Sequence, residues 1–180
     1  MSIEPSDYSD IFLKDESLLY SNLSKHKDDF NIWVAENFNV IDTIESFDEV
    51  KPDDVLFNLL IKSGYKHKRS QCHYSAKAIC ILHPSIDYYT GFVERKESVF
   101  PIITHSFNYY NSHIIDFARV DEINKIVTSQ SHSTLPHTYY GIKIPRNFVM
   151  KYQDEVFKEE SMKPLLYEWY LERFGDSRIS

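Results

Sequence analysis

The sequence has few of the residues that several common kinds of site require. Its 180 residues include only four glycines. Neither a GxGxxG nor a GxxxxGK[ST] pattern occurs, which excludes a glycine-rich phosphate loop. The two cysteines, Cys72 and Cys80, are too few for a four-thiolate zinc site. If both lie on one helix, they are about 12 Å apart along its axis, which excludes a disulfide between them.

Excess basic charge and long apolar runs are also missing. The formal net charge is −7, which argues against a nucleic-acid partner bound through a basic surface. No apolar run approaches the roughly 18 residues of a membrane span, and the first residues lack the basic and apolar segments of a signal peptide. We therefore expect a soluble, cytoplasmic protein without a membrane partner, in which cysteines stay reduced.

The composition indicates one globular domain of the α+β class. Hydrophobic residues make up 42% and charged residues 26% of the chain, as is typical of folded domains. Apolar residues at helical spacing predict helices within 17–37, at 41–47 and at 55–61, the last with proline and aspartate before it and glycine after it. We expect residues 1–70 to be an N-terminal helical extension.

The rest of the chain predicts a helix followed by an antiparallel sheet. Residues 72–82 form the helix, and aromatic and β-branched residues predict four strands, at 88–95, 99–110, 113–119 and 139–144. A tight turn at Asn111-Ser112 makes the second and third strands a hairpin. Residues 71–150 are then an α+β core. Residues 151–180 are a C-terminal helix, continuous over 152–174, that packs on the core.

Cys72 is the candidate nucleophile because it begins the predicted helix. The free N–H groups and the dipole of a helix N-terminus favour a thiolate over a thiol. The basic run 66–69 precedes it. That run is either a solvated loop or a local positive field that lowers the pKa of the thiol.

A thiolate site also needs a base and a group that orients the base. His105 lies on the second predicted strand and Asp116 on the third. A turn centred near Asn111 places the two near-opposite each other, with Cβ atoms about 5 Å apart. Ile103 and Phe107 share the His105 face of the strand. The sequence therefore predicts that Asp116 reaches the His105 ring.

These residues occur in a characteristic order: Gln71-Cys72-His73-Tyr74-Ser75-Ala76, His105-Ser106-Phe107-Asn108 and Ile114-Ile115-Asp116. In this order the chain resembles the transglutaminase-like and papain-like cysteine superfamily, in particular its short phage and bacterial members, over about residues 71–150. The resemblance implies a central helix against an antiparallel sheet, closed by a strand at Tyr139–Ile142.

The resemblance also implies roles for these residues. Cys72 is the nucleophile, His105 its base and Asp116 the group that orients the histidine. The Cys72 backbone N–H, with the Gln71 side chain, holds the oxyanion. The chain departs from the family pattern at Phe107, where Trp is common, and at Phe117-Ala118, where Pro-Thr is common. For this reason the substrate class is not carried over.

The expected function is a cysteine-dependent peptidase or amidase, or an acyl transferase, that needs no cofactor and no metal and acts on a protein or peptide. The alternative is a binding module with an idle site, such as a phage-encoded inhibitor that captures a protein or small ligand.

Several single-residue interpretations stay open beside these. His73 is a solvent-facing or first-turn residue or a second group of the site, and Asn108 is a second candidate for orienting the histidine. Tyr139 and Tyr140 are interpreted as strand packing, and Cys80 as core. Two weaker patterns are a zinc site from Cys72, His73, Cys80 or His83, and a phosphoesterase element at His132-Ser133-Thr134, for which a second copy is absent.

Overall fold

A computed structural model describes residues 33–34, 36–95, 102–120 and 135–174, and every structural statement below refers to these residues. Five antiparallel strands form one sheet, and helices accompany it. The strands are β1 (Asn39–Ile44), β2 (Asp87–Arg95), β3 (Ile102–Tyr110), β4 (His113–Ile115) and β5 (His137–Ile144). The α-helices are α1 (Asp54–Lys62), α2 (Cys72–Leu82), α3 (Arg146–Val149), α4 (Gln153–Glu159) and α5 (Leu166–Phe174). The fold is therefore of the predicted α+β class.

The strands follow the order β1-β5-β2-β3-β4 across the sheet. β2 is central and pairs with β3 on one side and β5 on the other. β5 in turn pairs with β1. The last strand in the chain thus lies inside the sheet, between the first two.

The prediction of a helix at 41–47 was wrong, because most of this segment is strand β1. The pattern Ile41, Ile44 suggested a helix turn, but β-branched residues favour a strand when a partner strand is available. β5 is that partner, with Ile44 paired to His137 and Val40 to Tyr140. A single-turn 3-10 helix at Phe47–Val50 follows β1. The first 70 residues are therefore not purely helical.

Helix α2 occupies the predicted residues 72–82 and packs on the sheet. Every residue from His73 to Ile81 is buried. The Asn108 side chain on β3 donates a hydrogen bond of 2.9 Å to the Ala76 carbonyl. Cys80 is fully buried in the core, as predicted.

Helix α1 also forms where its flanking residues predicted it. The Asp53 side chain accepts a hydrogen bond of 2.7 Å from the Leu56 N–H, which caps the helix start. Gly64 follows the helix end with a φ of +104°, a conformation that favours glycine.

The predicted hairpin forms, but its second strand is shorter than expected. Asn111 and Ser112 make the turn, with φ values of 48° and 66°. β4 pairs only with residues 108–110 of β3, in a register that places Ile115 opposite Asn108. The prediction that Asp116 lies within this strand was wrong, because β4 ends at Ile115 and a 3-10 helix at Phe117–Arg119 begins directly after Asp116.

The predicted continuous helix over 152–174 is interrupted. Glu160 ends α4 in a left-handed conformation, with a φ of 50°. Residues 160–165 cross to the start of α5 without regular structure. Pro164 lies in this crossing, and proline disfavours the helical conformation of the residue before it.

Some predictions fall outside the described residues. Most of the helical segment predicted within 17–37 lies there, although residues 33–34 and 36–37 are described and are helical. The pattern at His132-Ser133-Thr134 lies wholly outside. His137 begins β5 and is fully buried. No helix of the described part is long and apolar enough to cross a membrane.

Candidate active site

Cys72 is the first residue of α2, and Gln71 is the residue before the helix. Ser70 precedes them with a φ of 65°, and its N–H donates a hydrogen bond of 2.8 Å to the Ala118 carbonyl. This bond ties the start of α2 to the 3-10 helix after β4. The free N–H groups of the first helix turn then favour negative charge on the thiol.

His105 meets Asp116 and Cys72 through different parts of its ring. The Nε2 atom lies 2.7 Å from the Asp116 Oδ2 atom. Attraction and hydrogen bonding to the same ring lower the pKa of the Cys72 thiol, which places the sulfur beside His105. Since Nε2 is occupied by the carboxylate, Nδ1 is the nitrogen left for the thiol. The structure therefore brings the three predicted residues together in the order thiol, imidazole, carboxylate.

The short length of β4 explains how the helix reaches His105. Ser106 and Asn108 point from β3 towards α2, whereas His105 and Phe107 stack on each other on the opposite face. β4 stops at Ile115 and leaves residues 102–107 of β3 without a partner strand on that side. The start of α2 is bound to the 3-10 helix that follows β4.

Asp116 is almost fully buried and accepts several hydrogen bonds on one oxygen. Its Oδ2 atom accepts from His105 Nε2, from Arg119 Nε at 2.8 Å and from the Tyr139 hydroxyl at 2.8 Å. Its backbone N–H donates a hydrogen bond of 2.9 Å to the Val50 carbonyl. The carboxylate is thus held by three donors and the backbone by one acceptor, and these four partners come from four separate parts of the chain.

The charge of His105 is stabilised by attraction to Asp116 and to Cys72. Burial raises the pKa of Asp116, but attraction to His105 and Arg119 outweighs it and holds this pKa at about 2. Burial lowers the pKa of His105, but attraction to Asp116 and then to Cys72 raises it to about 9. Burial raises the pKa of Cys72, but attraction to His73 and His105 brings it well below its ordinary value. The histidines therefore favour the thiolate and the carboxylate favours the imidazolium, and these titrations belong to the group as a whole.

His73 is buried beside the thiol, which contradicts the solvent-facing interpretation. It is 7% exposed, and its Nδ1 atom lies 2.6 Å from the Ser106 Oγ atom. His73 lines the same pocket as Cys72, and attraction and hydrogen bonding to its ring lower the pKa of the thiol. Two histidine rings therefore lie near the sulfur.

Two other candidates have different surroundings. Asn108 does not orient the histidine, because its side chain donates to the Ala76 and Asp87 carbonyls on the α2 side of β3. Gln71 makes no capping bond. Its Oε1 atom is buried without a hydrogen-bond partner among the described residues. Gln71 is therefore still a candidate for contacting a substrate.

A pocket of about 580 Å³ opens beside the thiol. One wall is the start of α2 with the facing edge of β3, and the other is α4 with the crossing segment 161–164. The lining residues are Ser70, Cys72, His73, Thr104, Glu155, Glu159, Ser161, Met162, Lys163 and Pro164. The sulfur is thus accessible from a cleft large enough for a peptide-sized group.

Lys77 joins the two walls of this pocket. It is fully buried on α2, and its ammonium group donates to the Lys163 carbonyl and to the Ser161 hydroxyl. Burial lowers the pKa of Lys77 to about 8, although Glu155 and Glu168 act in the opposite direction. Lys77 therefore holds the crossing segment in place over the thiol.

The basic run at 66–69 has mainly a structural role. Lys66 and Lys68 form ion pairs with Glu160 at the end of α4, and the His67 ring is hydrogen-bonded to the Val120 carbonyl. The groups that lower the pKa of Cys72 are the two histidines. The run therefore fastens α4 near the site.

Sequence reasoning missed Arg119, Ser106 and the α4 wall, and it interpreted Tyr139 only as packing. A signal existed for Arg119, which lies three residues after Asp116 and forms an ion pair with it. None existed for Tyr139, because its contact with Asp116 depends on the order of strands in the sheet.

Among the described residues, no group of three or more His, Cys, Asp or Glu side chains is arranged to hold a metal ion.

The chain was compared with family models, curated proteins and solved structures, and no match was found.

Proposed function

We propose that this protein is a cysteine-dependent hydrolase or acyl transferase that acts on amide or related acyl bonds. One observation carries the proposal: a thiol at a helix start contacts His105, whose other ring nitrogen is bound to a buried carboxylate. A nucleophile, a base and a group that orients the base are the minimum set for covalent acyl transfer.

The reaction proceeds in two stages. The Cys72 thiolate attacks the carbonyl carbon and forms a C–S bond, and the electron pair of the carbonyl moves to its oxygen. The intermediate then collapses, the bond to the leaving amine breaks, and His105 gives that amine its proton. In the second stage neutral His105 takes a proton from water or another acceptor, which attacks the thioester and restores the thiolate.

Asp116 keeps the Nε2 atom of His105 protonated, so that Nδ1 faces the sulfur. It also stabilises the imidazolium, and the raised pKa of His105, about 9, reflects this effect against the cost of burial. The oxyanion is held by the Cys72 backbone N–H, which belongs to the first turn of α2 and points away from the helix. The Gln71 side chain is a second donor at this position.

The substrate class that best suits the pocket is a peptide or protein segment. The cleft is partly open and has both walls made of polar and apolar side chains, so an extended chain can lie across the thiol. Hydrolysis is the first choice between the two reactions, because water is the acceptor that every open cleft admits.

The second candidate is a binding module whose site is idle, such as a phage-encoded inhibitor. The observation that favours it is the pocket itself, whose α4 wall offers Glu155, Glu159 and Lys163 to a ligand independently of the thiol. Under this hypothesis a Cys72→Ala variant retains both ligand capture and biological activity.

An activated acyl ester tests the proposed function directly. Mass spectrometry of the intact protein should show one acyl group on Cys72, formed quickly and lost over time by hydrolysis. In His105→Ala the adduct should form at least about 100-fold more slowly, the typical loss for a general base. Cys80→Ala is the matched control and should acylate as the wild type does. An adduct that forms no faster than on denatured protein would contradict the proposal.

A further inference from the structure

Two histidine rings, those of His73 and His105, act on the Cys72 thiol, and the mechanism above uses only one of them. His105 approaches from β3, and His73 is the next residue on α2. Burial raises the pKa of the thiol, and attraction to His73 is the largest influence that opposes it, ahead of attraction to His105. Cys72 and His73 also line the same pocket, so His73 lies near the sulfur, as the predicted base does.

His73 is held in one orientation by a buried chain of hydroxyl groups. Its Nδ1 atom lies 2.6 Å from the Ser106 Oγ atom. The Ser106 hydroxyl donates its own proton to Thr90 Oγ1 at 3.0 Å, so its oxygen accepts from His73. The Tyr88 hydroxyl lies 3.4 Å from the same oxygen and accepts from the Leu165 N–H.

This chain determines which nitrogen of His73 carries the proton. A ring whose Nδ1–H donates to Ser106 has its lone pair on Nε2. Nε2 is then the atom available to the Cys72 thiol. The arrangement parallels that of His105, where Nε2–H donates to Asp116 and the lone pair on Nδ1 is available to the same thiol.

We propose that His73 is a second base for Cys72, oriented by Ser106 as His105 is oriented by Asp116. In this step the S–H bond breaks, the proton moves to Nε2 of His73, and the electron pair stays on sulfur. The product is a thiolate beside an imidazolium whose Nδ1–H still donates to Ser106. The inference rests on the proposed function and adds a second route to the same nucleophile.

The two routes differ in strength because the orienting groups differ. Asp116 is a buried carboxylate that stabilises charge on His105, whereas Ser106 is a neutral hydroxyl. A charge-assisted hydrogen bond is roughly twice as strong as a neutral one. The proton therefore resides mainly on His105, and His73 sustains the thiolate when His105 or Asp116 is lost.

The other titratable and charged groups around the thiol come from every packed element. Lys77 and Tyr88 lie on α2 and β2, and Arg119 and Tyr139 lie on the other side of His105; all four interact electrostatically with Cys72. Glu155, Glu159 and Lys163 face the pocket from α4 and the crossing segment. None of these groups is changed in the variants below. Differences in alkylation rate between the variants therefore reflect the loss of His73 or His105.

The test is the rate of Cys72 alkylation by iodoacetamide as a function of pH. The proteins compared are the wild type, His73→Asn, His105→Ala and the double variant. Asparagine keeps a polar atom near the position of Nδ1 for Ser106 but has no counterpart of Nε2. His113→Asn, an exposed site on β4, is the control. Each tenfold loss of rate below the thiol pKa corresponds to about one unit of pKa increase.

We expect His73→Asn to slow alkylation at about pH 6 by roughly tenfold, and His105→Ala to slow it further. The double variant should react as a free thiol does. Ser106→Ala should also slow alkylation, by a smaller factor. It serves as the deciding variant if His73→Asn does not unfold cooperatively on heating. A His73→Asn or Ser106→Ala profile that superimposes on the wild type overturns the inference. So does an His105→Ala rate as low as that of the double variant.

These outcomes are separable from failure of the proposed function. If the wild-type thiol itself titrates as a free cysteine, the thiolate site does not exist and the proposed function fails. If the wild-type profile is shifted but is unaffected by His73→Asn, only the second base is refuted.

Discussion

Tyr139 and Asp116 show how one buried carboxylate depends on its donors. The Tyr139 side chain is fully buried, and its hydroxyl donates a hydrogen bond of 2.8 Å to Oδ2 of Asp116. It is one of the causes that keep the pKa of Asp116 at about 2. Without that donor the carboxylate is less stable in the fold.

Tyr139→Phe should therefore lower the free energy of unfolding by about 1 kcal/mol, the usual contribution of one hydrogen bond. Because the pKa of Asp116 is depressed in the fold, its stabilisation is present above its unfolded pKa and is lost as pH falls towards about 2. In Tyr139→Phe the folded-state pKa of Asp116 should lie closer to its unfolded value, so this loss should be smaller and should be complete at a higher pH. Urea unfolding across the acid range measures both effects.

Tyr140→Phe is the matched control for that change. The Tyr140 hydroxyl donates a hydrogen bond of 2.9 Å to the Glu94 carboxylate, in a half-buried position away from the site. Its removal should leave the acid limb of the stability curve in place. An equal shift in both variants would contradict the role assigned to Tyr139.

His137 predicts a second pH effect on stability. Burial, and then repulsion from Arg119 and Arg95, lowers its pKa to about 4. A depressed histidine pKa means that the fold favours the neutral ring. Stability is therefore full above the ordinary pKa of about 6.5 and is lost as pH falls through about 4.

His137→Gln should flatten the stability curve over that interval by on the order of 2 kcal/mol. His113→Gln, at an exposed position, should keep the wild-type slope. Denaturant unfolding at a series of pH values gives the comparison. An unchanged slope in His137→Gln would mean that the ring is not buried neutral.

Among the elements, β2 and β5 face each other at two paired glycines. Gly91 pairs with Gly141 on β5 and with His105 on β3. A Cβ atom at Gly91 would lie 2.2 Å from the Tyr140 carbonyl oxygen, which is too close for any real contact. The position of His105 in the sheet thus depends on a residue without a side chain opposite it.

Gly91→Ala should destabilise the protein by about 3 kcal/mol or more, because backbone must move to admit the methyl group. Gly64→Ala is the comparison. Its Cβ atom would meet nothing within 4 Å, so it carries only the cost of a left-handed alanine, about 1 kcal/mol. Thermal melting of the two variants should differ accordingly, and equal melting temperatures would contradict the close packing of β2 on β5.

Local elements could be predicted when their signals lie within the element. The residues of α2 and α1 and the turn at Asn111-Ser112 follow from caps, breakers and periodicity near each end. Asp116 was expected to reach His105, and it does so from just past the end of β4. The exact register could not be predicted, because a one-residue difference in the hairpin depends on how the turn closes.

At the scale of the whole molecule, the sheet joins segments that are far apart in the sequence. β1 pairs with β5, and the Val50 carbonyl accepts a hydrogen bond from the Asp116 N–H. Such long-range pairings leave no local signal in the sequence. This is why β1 was mistaken for a helix, and why the Tyr139 contact and the α4 wall of the pocket were not foreseen.

The role of β1 predicts effects of very different size for two substitutions on one strand. Ile44 is 1% exposed and Val40 is 57% exposed. Ile44→Ala should cost about 2 to 5 kcal/mol of unfolding free energy, whereas Val40→Ala should change it by no more than about 0.5 kcal/mol. Comparable losses in both variants, measured by urea unfolding, would show that β1 does not pack on the core as described.

The central claim is that Cys72 is held as a thiolate by its histidine partners. The most direct measurement is the ultraviolet absorbance of the thiolate during a pH titration, taken as the difference between the wild type and Cys72→Ala. The account predicts a transition well below the ordinary cysteine pKa of about 8.5, with Cys80 silent in this range because burial raises its pKa to about 11. A transition at or above the ordinary value would contradict the account.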